Sequence, residues 1–132
     1  EIVSEEPYIV LDGAHNNEGI QALVDVLKER YSDKKITILF TALADKSVDE
    51  MIRKLDEVAD RIVFTEFDYP RAATAEMLFS FSSSDNKSLE KNWFDYLKNK
   101  IPSIQDDEIL VITGSLYFLS EVKSSLITIY KG

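Results

Sequence analysis

The sequence has no cysteine. Neither a disulfide framework nor thiolate chemistry is therefore open to it, and a reducing compartment, the cytoplasm, is the expected location. It has one histidine, His15. With no second histidine and no cysteine to share an ion, a metal centre is not expected. No apolar run approaches the roughly 18 residues that a membrane-spanning helix needs, and no signal peptide is visible. Two phosphate-binding signatures are missing. Without G-x-x-x-x-G-K-[ST] the chain cannot cradle a triphosphate in that way, and without G-x-G-x-x-G an ordinary dinucleotide site is unsupported. Basic residues are scarce, 15 against 24 acidic ones, for a formal net charge of −9. Such a surface repels nucleic acid and anionic lipid, so neither is expected as a partner. An initial methionine is lacking as well. Glu1–Pro7 reads as the end of a linker in a piece of a longer protein, and residues 8–132 as one domain.

What remains is an ordinary globular composition, 45% hydrophobic and 30% charged over 132 residues, long enough to bury a core. The chain is organised around Tyr8–Leu23. A short apolar run, Tyr8-Ile9-Val10-Leu11, meets Asp12-Gly13-Ala14-His15-Asn16-Asn17 and opens into a helical pattern. That order reads as strand, tight polar loop, helix. Gly13 permits a backbone path that a side chain would obstruct, and Asn16 or Asn17 can cap the helix. Exposed amides beside Asp12 and His15 suit a negatively charged ligand.

The rest alternates in the same way. Ile20, Leu23, Val24, Leu27 and Tyr31 recur at helical spacing, and Ile36–Phe40 is a second strand. Ser47-Val48-Asp49-Glu50 reads as a capping box ahead of a helix with Met51, Ile52 and Leu55 on one face. Arg61–Thr65 is a third strand, and Pro70 is placed to open a helix. Phe79-Ser80-Phe81 reads as a short edge strand, Ser82–Lys87 as a mobile tip, and Leu89, Trp93, Tyr96 and Leu97 as a helix face. Glu108–Thr113 is the last strand, followed by Gly114-Ser115 and a closing helix marked by Leu116, Leu119, Val122 and Leu126. The expected fold is α/β, Rossmann-like and doubly wound, a mostly parallel sheet with helices on both faces. In such a sheet every strand-to-helix loop leaves at the carboxyl ends of the strands, where ligands bind. Asp12–Asn17, Thr41–Ser47 and Thr113–Ser115 therefore converge on one rim, with Glu66–Arg71 a fourth loop.

Each candidate there also has an ordinary explanation. His15 serves equally as a hydrogen-bonded loop residue. Asp12 serves as a turn former, or stands where a ribose hydroxyl or a charged group is met. Lys46 is a solvated charge, or the one cation in a rim loop that an anionic substrate needs. Ser115 caps the last helix, or holds a carboxylate with its neighbouring amides. No histidine–carboxylate pair is spaced to make Ser115 a nucleophile.

Leu11-Asp12-Gly13-Ala14-His15-Asn16 with Gly19, then Asp45-Lys46, Pro70-Arg71-Ala72-Ala73 and Thr113-Gly114-Ser115-Leu116-Tyr117, resemble folylpolyglutamate synthase of the Mur ligase superfamily. The match is to its carboxyl-terminal domain and runs from about Tyr8 to Val122. Asn17 departs from it, since the family commonly has proline there. The resemblance implies an ATP-dependent acid–amino-acid ligase using Mg²⁺, which adds L-glutamate to a folate through an acyl phosphate. Dihydrofolate synthase activity is an open addition. It implies that Asp12, His15 and Asn16 meet ATP, His15 also orienting the reaction centre. Lys46 and Ser115 would hold the incoming glutamate, with Arg71 a weaker candidate. Mg²⁺ and most of the folate would be held by the missing amino-terminal domain, so the isolated domain is expected to be inactive. Two alternatives stay open here: the corresponding domain of a cell-wall Mur ligase, and a non-catalytic sensor or interaction module on the same sheet.

Overall fold

The computed structural model describes residues 1–44 and 47–131. Six strands, β1 (Ile2–Glu5), β2 (Tyr8–Asp12), β3 (Lys35–Phe40), β4 (Arg61–Glu66), β5 (Lys87–Asn92) and β6 (Glu108–Thr113), form one sheet in the order β1-β2-β6-β3-β4-β5. β2 to β6 are parallel neighbours in that order, and β1 runs antiparallel on the outer side of β2. The helices are α1 (Asn17–Arg30), α2 (Val48–Asp56), α3 (Ala75–Phe81), α4 (Trp93–Lys100) and α5 (Leu116–Lys131).

The strands alternate between two cores, as period-2 side chains must. Val10, Ile38, Phe40, Ile62, Phe64, Ile109 and Val111 face one cluster, closed by Ile20 and Leu23 of α1, Met51 and Ile52 of α2 and Leu78 of α3. Ile9, Leu11, Leu39, Val63, Leu110 and Ile112 face the other, closed by Leu97 of α4 and by Phe118, Val122 and Leu126 of α5. Helices thus cover both faces, and the doubly wound α/β reading holds. β6 lies between β2 and β3 but sends its helix to the opposite face from theirs. The carboxyl ends of these three strands therefore flank the point where the winding switches sides, which is where such sheets open a crevice.

Several local readings need correction. Ile2–Glu5, expected within a linker, is an edge strand, with Ile2 opposite Val10 and Glu5 opposite Tyr8. Ser47 precedes α2 with φ 84° and makes no capping bond through its side chain; Glu50 instead accepts from Asn17 Nδ2 at 3.0 Å. Pro70 lies in a turn, not a helix. The helix starts at Ala75, where Thr74 Oγ1 accepts from the Met77 amide. Phe79–Phe81 is the last turn of that helix, and the true edge is β5, whose Leu89 belongs to a strand rather than to α4. β5 is mostly polar, Lys-Ser-Leu-Glu-Lys-Asn, so it lacks the apolar pattern that reveals a strand. Ser82–Lys87, read as a mobile tip, is tied down where it joins α3 to β5. Ser82 Oγ and the Ser83 amide donate to Asp56, and Asn86 Nδ2 donates to the Asp60 carbonyl.

Candidate functional site

The loops after β2, β3 and β6 meet at the rim and enclose a cleft of about 610 Å³. His15, Asn16 and Asn17 line it from the first loop, Ala42, Leu43 and Ser47 from the second, and Gly114–Tyr117 from the third, with Val48 and Met51 of α2 below.

The first corner is shaped by Asp12. As the last residue of β2 it turns its carboxylate back, so that Oδ1 accepts from the Ala14 amide at 2.9 Å. This local bond holds the chain in a tight turn at the strand end. His15, exposed, has Nδ1 3.0 Å from the Gly13 carbonyl, which sets the ring's orientation. Asn16 is the cap of α1, its Oδ1 accepting from the Gly19 amide at 2.8 Å. The chain then carries one more polar group across: Asn17 Nδ2 reaches Glu50 on α2, and Lys54 Nζ donates to the Asn17 carbonyl at 3.4 Å. These bonds tie the first and second walls of the cleft together.

The second corner depends on Gly114. It sits at φ 121°, and a Cβ there would fall 1.9 Å from the Thr41 carbonyl oxygen. Only glycine tolerates both demands. β3 and β6 can thus stay in register to their last residues, Phe40 opposite Thr113. Ser115 is buried, and its Oγ accepts from the amides of Tyr117 and Phe118 at 3.2 and 3.4 Å, capping α5. The two corners touch. Thr113 Oγ1 donates to the Ala14 carbonyl at 3.4 Å, and Leu116 lies over Gly13, with its Cδ2 2.7 Å from where a Cβ would stand.

The fourth loop braces the second instead of lining the cleft. Leu43 bridges Ala72, the Ala73 amide donates to the Ala42 carbonyl at 2.9 Å, and the Ala44 amide donates to the Arg71 carbonyl at 2.6 Å. Arg71 adopts φ 64° and is exposed. Its backbone, not its guanidinium, is what reaches the neighbouring loop.

Of the residues picked from sequence, His15, Asn16 and Ser115 line the cleft, and Asp12 buttresses its floor from one residue behind Gly13. Arg71 stands outside it. Lys46 lies outside the described residues, while Ala44 and Ser47 flanking it stand on the rim. Sequence reasoning missed Asn17 with Glu50, which are joined across 33 positions, and the lip formed by Leu116 and Tyr117. Leu116, one of the residues that mark the closing helix in sequence, is 54% exposed. The signal that sequence offered is that Phe118, Val122 and Leu126 repeat every four residues, a stripe with which Leu116 is two positions out of phase.

Chemically the cleft presents helix amino ends, a serine hydroxyl and an imidazole, a set that meets anionic oxygens well. Among the described residues no group of three His, Cys, Asp or Glu side chains is placed to hold a metal ion. Among the described residues, too, no helix is long and apolar enough to cross a membrane.

Comparison with known proteins follows the same residues. The model of the family described as Mur ligase, glutamate ligase domain, matches residues 1–116. The chain is 40% identical over 126 residues to the dihydrofolate synthase/folylpolyglutamate synthase of Bacillus subtilis (strain 168), covering 96% of this chain and 29% of that protein. Escherichia coli FolC in complex with ADP has the same fold, at a TM-score of 0.88 and 22% identity over 100% of this chain and 32% of that one. Mycobacterium tuberculosis folylpolyglutamate synthase complexed with ADP and AMPPCP matches at a TM-score of 0.76 and 28% identity, over 87% of this chain and 28% of that one. The chain spans less than a third of the length of each of these proteins. Since the family match runs through both of the corners that build the cleft, the chain belongs to the Mur ligase, glutamate ligase domain family.

Proposed function

We propose that this chain is the carboxyl-terminal domain of a cytoplasmic, ATP-dependent ligase that joins L-glutamate to the γ-carboxylate of a folate. The single observation that carries the reading is the meeting of the Asp12–Asn16 and Gly114–Ser115 corners in one cleft at the carboxyl rim of the sheet. The ADP and AMPPCP complexes of the M. tuberculosis relative support the choice of nucleotide.

In this reading Asp12 holds the first turn through Oδ1 and offers Oδ2 to a nucleotide hydroxyl, while His15 and Asn16 order the same turn around the phosphates. Ser115 and Lys46 receive the carboxylates of the incoming glutamate. Phosphoryl transfer from ATP activates the folate carboxylate as an acyl phosphate. The glutamate amine then attacks the acyl carbon, the C–O bond to phosphate breaks, and inorganic phosphate leaves. Both substrates are anionic, so helix amino ends aimed at the cleft lower the cost of crowding them. The residues present fit the polar edge of a nucleotide but not a metal ion. Mg²⁺, with most of the folate, is assigned to a preceding domain, which closes on this one and keeps the acyl phosphate from water.

The test is made on the full-length protein, by following ADP release as tetrahydrofolate and glutamate are varied. Ser115→Ala and Lys46→Ala are each expected to raise the glutamate KM by about tenfold, the loss of one charge-assisted contact. Glutamate kinetics unchanged in both variants would overturn the site assignment. Activity on a UDP-linked muropeptide in place of folate would overturn the substrate.

A further inference from the structure

One feature of the cleft has no part in the scheme above. The first turn of α5 holds two large apolar side chains half in solvent, Leu116 at 54% and Tyr117 at 53% exposure. Leu116 is accounted for by its cover over Gly13. Tyr117 lines the cleft and is backed by a file of rings. It lies nearly parallel to Tyr69, with centroids 4.5 Å apart and planes 19° off, and Tyr69 is stacked in turn on Phe67 at 5.6 Å and 16°. Phe67 is buried and packs against the fully buried Phe118. The plane of Tyr117 is therefore fixed from the core outward. A flat, immobilised aromatic face at the mouth of a cleft, beside Leu43, Val48 and Met51, is a stacking surface for a flat ring.

We infer that Tyr117 is the stacking platform for the aromatic ring of the carboxylate-bearing acyl substrate, and so a specificity-determining residue. The inference rests on the ligase reading. That reaction brings two aromatic groups near the rim, adenine and the aryl amide of the acyl substrate, and their chemistry separates them. The Tyr117 amide bonds the Ser115 hydroxyl at 3.2 Å, so the platform stands beside the proposed glutamate site. In a folate the benzoyl ring is separated from the reacting carboxyl group by an amide and a short aliphatic arm. Adenine is separated from the reacting phosphate by a ribose and two further phosphates. The nearer ring is that of the acyl substrate.

Tyr117→Phe, Tyr117→Leu and Tyr117→Ala in the full-length ligase test this. Phe is expected to retain the parent tetrahydrofolate KM. Leu, which keeps apolar cover but no π face, and Ala are each expected to raise it about five- to tenfold, with the KM values for ATP and glutamate held within twofold. The Leu variant keeps the test open should Ala perturb the ring file, and thermal melting of each variant reports the fold. A tetrahydrofolate KM unchanged in both Leu and Ala overturns the inference. So does a parent-like value in Leu alone, which would make the contact merely apolar, or a rise confined to the ATP KM, which would assign the platform to adenine. Failure of the parent protein to release ADP in response to folate and glutamate overturns the ligase reading and this inference with it. Ordinary ligase kinetics with indifferent Tyr117 variants overturn this inference alone.

Discussion

At the scale of single residues, the rim is built by a few positions whose alternatives are blocked. Gly114 is the clearest. Its positive φ and the Thr41 carbonyl oxygen 1.9 Å from any added Cβ leave no room to relax, because the obstructing atom is backbone. Gly114→Ala is expected to destabilise the 132-residue chain by more than about 3 kcal/mol in urea denaturation. Gly13→Ala meets only the far end of the Leu116 side chain and is expected to cost well under half as much, roughly 1 kcal/mol. Asp12 carries a second prediction. Asp12→Ala in the full-length protein is expected to raise the ATP KM by about tenfold while the folate KM stays within twofold, as steady-state kinetics would show. Equal effects on both substrates would contradict its assignment to the nucleotide. The strand–loop–helix order around Asp12–Asn17 was legible in sequence, because a polar turn between an apolar run and a helical stripe has few other solutions. Which neighbour Asp12 holds was not legible, since a turn and a ligand contact call for the same carboxylate.

At the scale of elements, strands between two helical layers announced themselves and edge strands did not. β2, β3, β4 and β6 are buried on both faces and read as apolar runs. β1 and β5 have one side to solvent and a mixed composition, so the first passed for a linker and most of the second for the start of a helix. The ends of elements also hide long-range ties. Glu108 opens β6, and its Oε2 accepts from Lys100 Nζ of α4 at 2.6 Å and from Thr37 Oγ1 of β3 at 2.7 Å. Burial alone would push the Glu108 carboxyl up. The hydrogen bonds from Lys100, Thr37 and the Gln105 amide outweigh it and hold the group below the usual carboxylate range. A carboxyl whose folded pKa is depressed contributes stability above its unfolded value, about 4.3. That contribution is lost as pH falls from there through the folded value. Urea denaturation from pH 7 to pH 3 is expected to show this loss below about pH 4.3, and Glu108→Gln is expected to flatten it. Lys100→Ala leaves a mostly buried carboxylate without its cation, at a cost of about 3 kcal/mol at pH 7. It is also expected to shrink the loss seen below about pH 4.3, because without the cation the folded Glu108 carboxyl rises toward its unfolded value.

At the scale of the whole molecule, the winding of the sheet brings the walls of one cleft together. Three loops separated by about a hundred residues share one rim because parallel strands all end on the same side, and this was readable from the alternation of strands and helices alone. The packing of Tyr117 on Tyr69 was not, since no local pattern reports a contact across 48 positions. The chain has a polar cleft but no phosphate-loop motif, and among the described residues no group of three His, Cys, Asp or Glu side chains placed to hold a metal ion. Purified alone, the 132-residue chain is therefore expected to release no ADP from ATP in the presence of folate and glutamate, in a coupled assay that detects the full-length protein readily. Turnover by the isolated chain would contradict the proposed division of labour.

The direction of β1 has a consequence for how such a division is joined. Because β1 runs against β2, its amino end lies at the carboxyl end of β2, where the carbonyl of Glu1, just ahead of the strand, accepts from the Leu11 amide at 2.8 Å. Glu1 therefore stands at the same edge of the sheet as the loops that line the cleft, not at the opposite edge. In the proposed ligase, a preceding domain joined at that edge would reach the opening over a short tether, at high effective concentration.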